Sequence, residues 1–321
     1  MSGEVVIVPT FRREAFLALC LKRIREVEPH IPIAIFPDRG TRDDPALWEA
    51  IDLVDPILTN MHVMLVPEHD FYGNSYNVME AFRWAYNEGF ERTFYIENDV
   101  LVHRDFFTWH RAMHEEWDDI FASMAWIFNH YAPITDDVQF EPWYYAIGTC
   151  FTLEMLAEVA KHASPLYYAD MPGYIAKAFP DSKLNTQYGI SHYEQDGLIQ
   201  RVIERVKRQV VSPCRGRCTH LGMMGYNKGW ADTFFGEAKT FEERVKRLEQ
   251  FAADPYWRME YFDRKIVEFE EGRTLPPVKR RYQIKIGDWV SEFTSEASLA
   301  HLPRRINSVD VPANARIMLL S

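Results

Sequence analysis

The sequence predicts an α/β fold: a mostly parallel sheet with helices on both faces, carrying a mixed helical and short-strand extension at its C-terminal end. Three observations lead there. Val5 to Val8 is an unbroken β-branched run, the pattern of a strand buried on both faces. Further strand-like runs follow, separated by amphipathic stretches of helix length, which is the spacing that parallel crossovers require. The residues just past the strands, Pro9 to Arg12, Pro37 to Arg39, Pro67 to Asp70 and Glu97 to Asp99, are rich in charge and poor in bulk. In a parallel sheet these are the edges where ligands bind.

The elements can be taken in order. After Pro9 and Thr10 end the first strand, Arg13 to Val27 follows helical periodicity, with Phe16, Leu17, Leu19, Cys20, Leu21 and Ile24 near one stripe. Ile31 to Phe36 is a second strand, Pro45 to Asp52 a helix and His62 to Val66 a third strand. Tyr72 and Gly73 make a turn before a helix over Ser75 to Asn87, with Gly89 at its end. Thr93 to Ile96 is the fourth strand and Phe106 to Trp117 a helix. Ser123 to Phe128 and Trp143 to Phe151 are strand-like, and Leu153 to His162 is helical. Tyr167 to Tyr188, with its Pro, Gly and aromatics, reads as a long loop with one short helix. Gln195 to Val206 is an amphipathic helix, and Gln209 to Ser212 is strand-like. Phe234 to Glu271 is mostly helical and charged, and short strands and turns return from Pro276. No internal repeat and no low-complexity linker occurs. The expected division is a catalytic domain over 1–230 and an extension over 231–321.

Composition narrows the function classes. The formal charge of -11 argues against a general affinity for nucleic acid or anionic membranes. Basic residues cluster only locally, at Arg201, Arg205, Lys207 and Arg208, at Arg215 and Arg217, at Lys279 to Arg281, and at Arg304 and Arg305. Such clusters either bind phosphate or solvate helices and pair with acids. No apolar run is long enough to span a membrane, and Met1 to Glu4 is polar and leads directly into a strand, so neither a span nor a secretory leader is expected. Cys20, Cys150, Cys214 and Cys218 are expected to be reduced thiols in a cytoplasm. The spacing of Cys214 and Cys218 would allow a shared metal or a disulfide, but no second ligand pair lies nearby.

The most informative segment is Arg92 to Val102, RTFYIENDVLV. An apolar strand runs into Glu97, Asn98 and Asp99 and then turns apolar again. In an extended chain, carboxylates two positions apart point to one side. At a ligand-binding edge, hard oxygen donors suit Mn²⁺ or Mg²⁺. The plainer alternative is an acidic turn.

The order of segments resembles the first half of the GT-A glycosyltransferases. The resemblance rests on a strand followed by PTFRR, a strand ending at Asp38, the segment YGNSYNVMEAFRWAYNEGF, and a strand ending in acid-x-Asp. It implies a Rossmann-like sheet and a nucleoside-diphosphate sugar as donor, a UDP-sugar above others. On it, Thr10, Arg12, Asp38, Gly73, Asn74, Glu97 and Asn98 are expected to bind the donor, and Asp99 to ligate the cation directly. Glu97 stands where the commoner motif has Asp, as in some Golgi N-acetylglucosaminyltransferases. The resemblance also implies a catalytic base at a helix start about a hundred residues on, matched by Asp196 with Glu194 as the alternate. A further metal ligand is matched by His220 in CTHLGMMGYNKG. Locally, Asp196 is equally well explained as a residue of a helix N-terminus, favoured by the helix dipole.

On the acceptor side, Trp126, Asn129, Trp143 and Tyr144 are expected to stack on or hydrogen-bond to a glycan, small molecule, protein or modified base. An inverting transfer to an acceptor hydroxyl is the leading expectation. The same chemistry on a hydroxymethylated base in DNA, as in phage enzymes of this fold, is one alternative. A retaining transferase would not need Asp196, and a non-catalytic carbohydrate-binding protein would need neither acid-x-Asp nor His220. A sugar nucleotidylyltransferase is disfavoured, because Pro9 to Arg13 lacks the glycine-rich loop such enzymes place there.

Overall fold

A computed structural model describes residues 3–11, 13–38, 43–54, 61–64, 73–126, 138–141, 143–187, 192–221, 238, 240–252, 281–286, 289–293, 305–306, 309–310 and 316–320, with side chains up to residue 250.

The first strand, β1 (Glu4–Thr10), is buried along almost its whole length and lies between β2 (Ile33–Pro37) and β4 (Arg92–Tyr95), parallel to both. β3 (Met61–Val63) extends the sheet beside β2, again parallel. On the other side of β4 the pattern becomes mixed. β8 (Thr149–Thr152) runs antiparallel to β4 and to β6 (Ile120–Met124), and β9 (Gln209–Pro213) is parallel to β6. β7 (Val138–Glu141) then pairs antiparallel with β9 and carries β12 (Trp289–Phe293), β11 (Arg281–Ile286) and β15 (Arg316–Leu320) beyond it. Among the described residues the sheet order is β15-β11-β12-β7-β9-β6-β8-β4-β1-β2-β3. Only β7, β8 and β11 oppose the common strand direction. This is the expected α/β class, and the last strands of the chain continue the central sheet.

Alternation along the strands sorts the core into two faces. Val6 and Val8 with Ile33 and Ile35 face α1 (Glu14–Val27), α2 (Pro45–Val54) and α10 (Phe241–Ala252). Val5 and Ile7 with Ala34 and Phe36 face α3 (Asn74–Asn87), α5 (Leu153–Ala160) and α9 (Gln195–Val206). That period-two split is why strands reading as continuous apolar runs sit in a sheet covered on both sides. Near β6, β7 and β9, the helix α4 (Phe106–Glu116) buries Trp109 and Met113 against Ile120, Phe140 and Val211.

Helix ends follow local chemistry. Gly73, with φ 99°, turns the chain into α3, and Gly89, with φ 74°, follows its end. Thr240 and Glu243 close a reciprocal capping box at α10. Two sequence expectations are corrected here. The stretch from Tyr167 holds three short helices, α6 (Pro165–Ala169), α7 (Met171–Ala178) and α8 (Lys183–Gln187), not a long loop. Pro165 and Pro172 sit in first turns behind the capping side chains of Ser164 and Asp170, where proline starts helices rather than breaking them. The strand expected over Trp143 to Phe151 forms only from Thr149, and β7 was not anticipated.

A short ladder completes the frame. β5 (Val100–Val102) pairs antiparallel with β10 (Cys218–His220), setting His220 opposite Val100. β13 (Arg305–Ile306) and β14 (Val309–Asp310) form a separate pair.

Candidate functional site

The site is built at the carboxyl ends of β1, β2 and β4. After Tyr95 the chain leaves the sheet, and the amide of Val100 donates to the carbonyl of Glu97 at 3.0 Å, closing a turn over Glu97–Val100. The two carboxylates therefore meet through a tight turn, not through extended alternation. The turn points Asn98 the other way, where its Nδ2 donates to Thr10 Oγ1 at 2.8 Å. Thr10 and Asn98 are both buried, so this bond ties the end of β1 to the turn. The amide of Asp38 donates to the Thr10 carbonyl at 2.8 Å, bringing the end of β2 to the same point.

His220 arrives from about 120 residues away in sequence by backbone pairing. The β5–β10 register places it opposite Val100, and the amide of Leu221 donates to the Asp99 carbonyl at 2.8 Å. Behind this ladder His103 is fully buried, with Nδ1 3.1 Å from the Gly216 carbonyl and Nε2 2.9 Å from Thr219 Oγ1. Burial, with the charges of Arg23 and Arg217, pushes its pKa down to about 3. Arg217, also fully buried, forms an ion pair with Asp105.

Glu97, Asp99 and His220 each offer a donor atom, and the three atoms lie within 4.8 Å of one another. Among the described residues this is the only grouping of three such side chains able to hold a metal ion. Cys214 and Cys218 are buried and are not joined in a disulfide. His220 Nε2 is 3.4 Å from Asp99 Oδ1, while the Arg13 guanidinium pairs with Asp99 Oδ2. Burial disfavours the Asp99 carboxylate, but the hydrogen bond and charge of His220 and the charge of Arg13 outweigh it and hold its pKa low. For His220, burial works against the imidazolium, and Asp99 and Glu97 more than offset it, so its pKa is raised. Burial, and then the charges of Asp99 and Asp196, push Glu97 up. Two carboxylates and an imidazole that attract every nearby cation fit a hard divalent ion such as Mn²⁺ or Mg²⁺.

Asp196, in the first turn of α9, is near enough for its charge to act on Glu97. Solvent reaches its carboxylate, yet desolvation by the surrounding protein, with the charge of Glu194, raises its pKa to about 6. Its charge in turn raises the pKa values of Glu97, Tyr95 and Tyr144. Three contacts fix the start of α9. Ser75 Oγ donates to Gln195 Oε1 at 2.6 Å, joining it to the start of α3. Tyr167 donates to the Tyr193 carbonyl at 2.8 Å. The buried Arg201 donates through Nη1 to the carbonyls of His192 at 2.5 Å and Gly197 at 2.9 Å, and through Nε and Nη2 to Asn185 Oδ1.

The remaining expected residues fall into groups. Gly73 and Asn74 begin α3, with Asn74 exposed. Trp126 is partly buried with its ring 6.1 Å from that of Tyr145, and Trp143 is also partly buried. Tyr144 is a core residue whose amide donates to Gln200 Oε1 at 2.7 Å. Arg12 and Asn129 lie outside the described residues. Arg13 and Tyr95, whose hydroxyl donates to Glu97 Oε1 at 3.0 Å, were not singled out from the sequence. The doubled arginine of PTFRR was the available signal for Arg13; nothing local marks Tyr95. The arginines between 201 and 217 are largely engaged within the protein: Arg205 with His162, Arg208 with Glu154, Arg201 and Arg217 as described, and Arg215 buried. No helix among the described residues is long and apolar enough to cross a membrane.

No family model matches the chain, and no curated protein does. Solved structures do. A mannosyltransferase from Pyrobaculum calidifontis, in complex with GDP-Man and Mn²⁺, is 12% identical with a TM-score of 0.45, covering 86% of this chain and 77% of that one. A mannose-1-phosphate geranyltransferase from Thermus thermophilus is 11% identical with a TM-score of 0.40, covering 69% and 77%. Mouse xyloside xylosyltransferase 1 in its apo form is 9% identical with a TM-score of 0.40, covering 75% and 93%. Likenesses this distant decide neither reaction nor substrate; the geometry of the site has to carry the reading.

Proposed function

We propose that this protein is a metal-dependent glycosyltransferase of the GT-A type. It moves a sugar from a nucleoside-diphosphate sugar, a UDP-sugar in the first instance, to an acceptor hydroxyl with inversion. The observation that carries the reading is the convergence of Glu97, Asp99 and His220 at the carboxyl edge of the sheet, with Asp196 close enough for its charge to act on Glu97. A bound Mn²⁺ or Mg²⁺ would neutralise a diphosphate and the charge that develops on it as it leaves. Asp99, Glu97 and His220 are the residues that would hold that cation. Thr10 and Asp38, tied together at the ends of β1 and β2, and Gly73 and Asn74 at the start of α3, would form the donor wall.

Asp196 is the proposed base. Its carboxylate would accept the acceptor's hydroxyl proton as that oxygen attacks the sugar. A pKa of about 6 suits the task, since the group is ionised near neutrality yet basic enough to take a proton. Glu194 would act on it indirectly, by raising that pKa. Trp126 and Trp143 are the proposed acceptor contacts, while Tyr144 is buried in the core. A DNA acceptor is the weaker reading, because the arginines between 201 and 217, part of what suggested it, have protein partners or are buried.

Calorimetry against a panel of nucleoside diphosphates, with and without Mn²⁺, tests the proposal. The expected result is Mn²⁺-dependent binding of one nucleotide that disappears in Asp99→Ala. Absence of binding to every nucleotide, with or without metal, removes the transferase reading and leaves the α/β fold standing.

A further inference from the structure

We infer that Arg13 is a resident counter-cation of the metal site: it pairs with Asp99 when no divalent ion is bound and must release that carboxylate for the ion to enter. The inference rests on the metal-site reading above and adds to it a competition inside the protein.

Four observations carry it. First, Asp99 divides its two oxygens, Oδ1 towards His220 and Oδ2 towards Arg13, and its side chain is 5% exposed. A carboxylate so enclosed has little water to balance its charge and takes what cation the protein supplies. Second, the contact spans 86 residues of sequence, so it is not a byproduct of helical spacing. Third, Arg13 holds a left-handed backbone, φ 65° and ψ 46°, at the residue preceding α1, and its side chain caps nothing in that helix. Arg13 and Lys207 are the only non-glycine residues with positive φ among those described. An L-residue stays in that region only when its surroundings hold it there, and such strain gathers where a site has two states. Fourth, the donor atoms of Glu97, Asp99 and His220 lie within 4.8 Å of one another, so an ion held by them would compete with the guanidinium on Asp99 Oδ2 for the same carboxylate charge.

The chemistry distinguishes a counter-cation from a mere strut. A strut would raise metal affinity by holding Asp99 in place; a counter-cation lowers it by competing for the same charge. Removing Arg13 has opposite effects in the two cases.

The test titrates Mn²⁺ alone, without nucleotide, into the wild type, Arg13→Gln and Asp99→Asn by calorimetry. The expected result is Mn²⁺ binding by the wild type, loss of binding in Asp99→Asn, and binding about tenfold tighter in Arg13→Gln, the scale on which one adjacent charge shifts a carboxylate's proton affinity. Arg13→Gln should also melt below the wild type without metal, and the gap should narrow at saturating Mn²⁺. Unchanged or weaker Mn²⁺ affinity in Arg13→Gln, with binding still dependent on Asp99, overturns the counter-cation inference and spares the metal site. No Mn²⁺ binding in either the wild type or Arg13→Gln overturns both. A second measurement needs no variant: Arg13 in the wild type should react with phenylglyoxal faster once Mn²⁺ is added, as mapped by mass spectrometry. Unaltered reactivity at a Mn²⁺ concentration that saturates the protein overturns the inference even where Arg13→Gln fails to fold.

Discussion

Replacing Gly197 by alanine ought to damage this protein, although the usual rule for a glycine inside a helix says the reverse. Gly197 lies in the first turns of α9, where Gly→Ala ordinarily stabilises by about 1 kcal/mol through backbone propensity. Here the chain before the helix folds back over it. A Cβ on residue 197 would lie 2.1 Å from the His192 carbonyl oxygen and 2.6 Å from its carbon. These are backbone atoms and cannot swing aside like the end of a side chain. A shift of about 1 Å is needed, and overpacking of this kind typically costs about 1–3 kcal/mol. The same carbonyl accepts from the buried Arg201 guanidinium at 2.5 Å. Disturbing a hydrogen bond to a charged group adds about 1.5 kcal/mol or more. After the propensity gain is subtracted, a net destabilisation of about 2 kcal/mol remains. Urea unfolding followed by circular dichroism measures it, as a lower midpoint at unchanged slope. A midpoint equal to or above that of the wild type would show that residues 192–194 do not pack on α9 as described, and would refute the account of how Asp196 is held.

Three other outcomes are expected. Asp196→Asn should retain Mn²⁺-dependent nucleotide binding and lose about 10²- to 10⁴-fold in turnover; since its folded pKa is raised to about 6 from an unfolded value near 4, this variant should also melt above the wild type at about pH 8, with the difference shrinking as pH falls and gone below about pH 4. Arg201→Met, which strands the acceptors of His192, Gly197 and Asn185, should lower stability by about 2–4 kcal/mol in the same urea assay, and a loss under about 1 kcal/mol would mean that this buried guanidinium is not a clamp. His103 has a folded pKa depressed to about 3, so its contribution to stability is present above about pH 6.5 and is lost as pH falls towards 3; His103→Gln should flatten that part of the stability–pH curve, and an unaltered slope would place the acid sensitivity elsewhere.

The parallel part of the fold was legible because its strands are buried on both faces. Val5 to Val8 could be recognised by composition alone, and the helices after β1 and β3 by periodicity and by Gly89. The Asp196 helix was read at the same bounds as the structure, since its amphipathic face is strong. Segments whose order comes from tertiary contact were not legible. β7 alternates over only four residues and gains its place by pairing with β9 and β12. The helices from Pro165 to Gln187 were hidden behind prolines that read as breakers, though Ser164 and Asp170 in front of them are helix-starting signals.

At the site, residue types were easier to anticipate than the reason they meet. The acid-x-acid triplet marked Glu97 and Asp99, but their shared orientation comes from the Glu97–Val100 turn. A strand continuing through Asp99 would have kept Asn98 pointing away while leaving no backbone amide to close the chain back towards His220. The turn does both, because it ends where β5 begins and so hands Val100 to the ladder that carries β10. His220 could be proposed from its order in the chain, yet its position depends on a three-residue pairing supported from behind by His103 and the Arg217–Asp105 pair, none of which carries a local signal. Arg13 shows the same limit from the other side. It lies beside an arginine that the sequence did single out, and its pairing with Asp99 goes with a left-handed backbone, φ 65°, that no local signal marks. Residue identity alone therefore finds the charges of such a site, while the balance among them, on which metal affinity depends, is set by turns and pairings that appear only when the chain is folded.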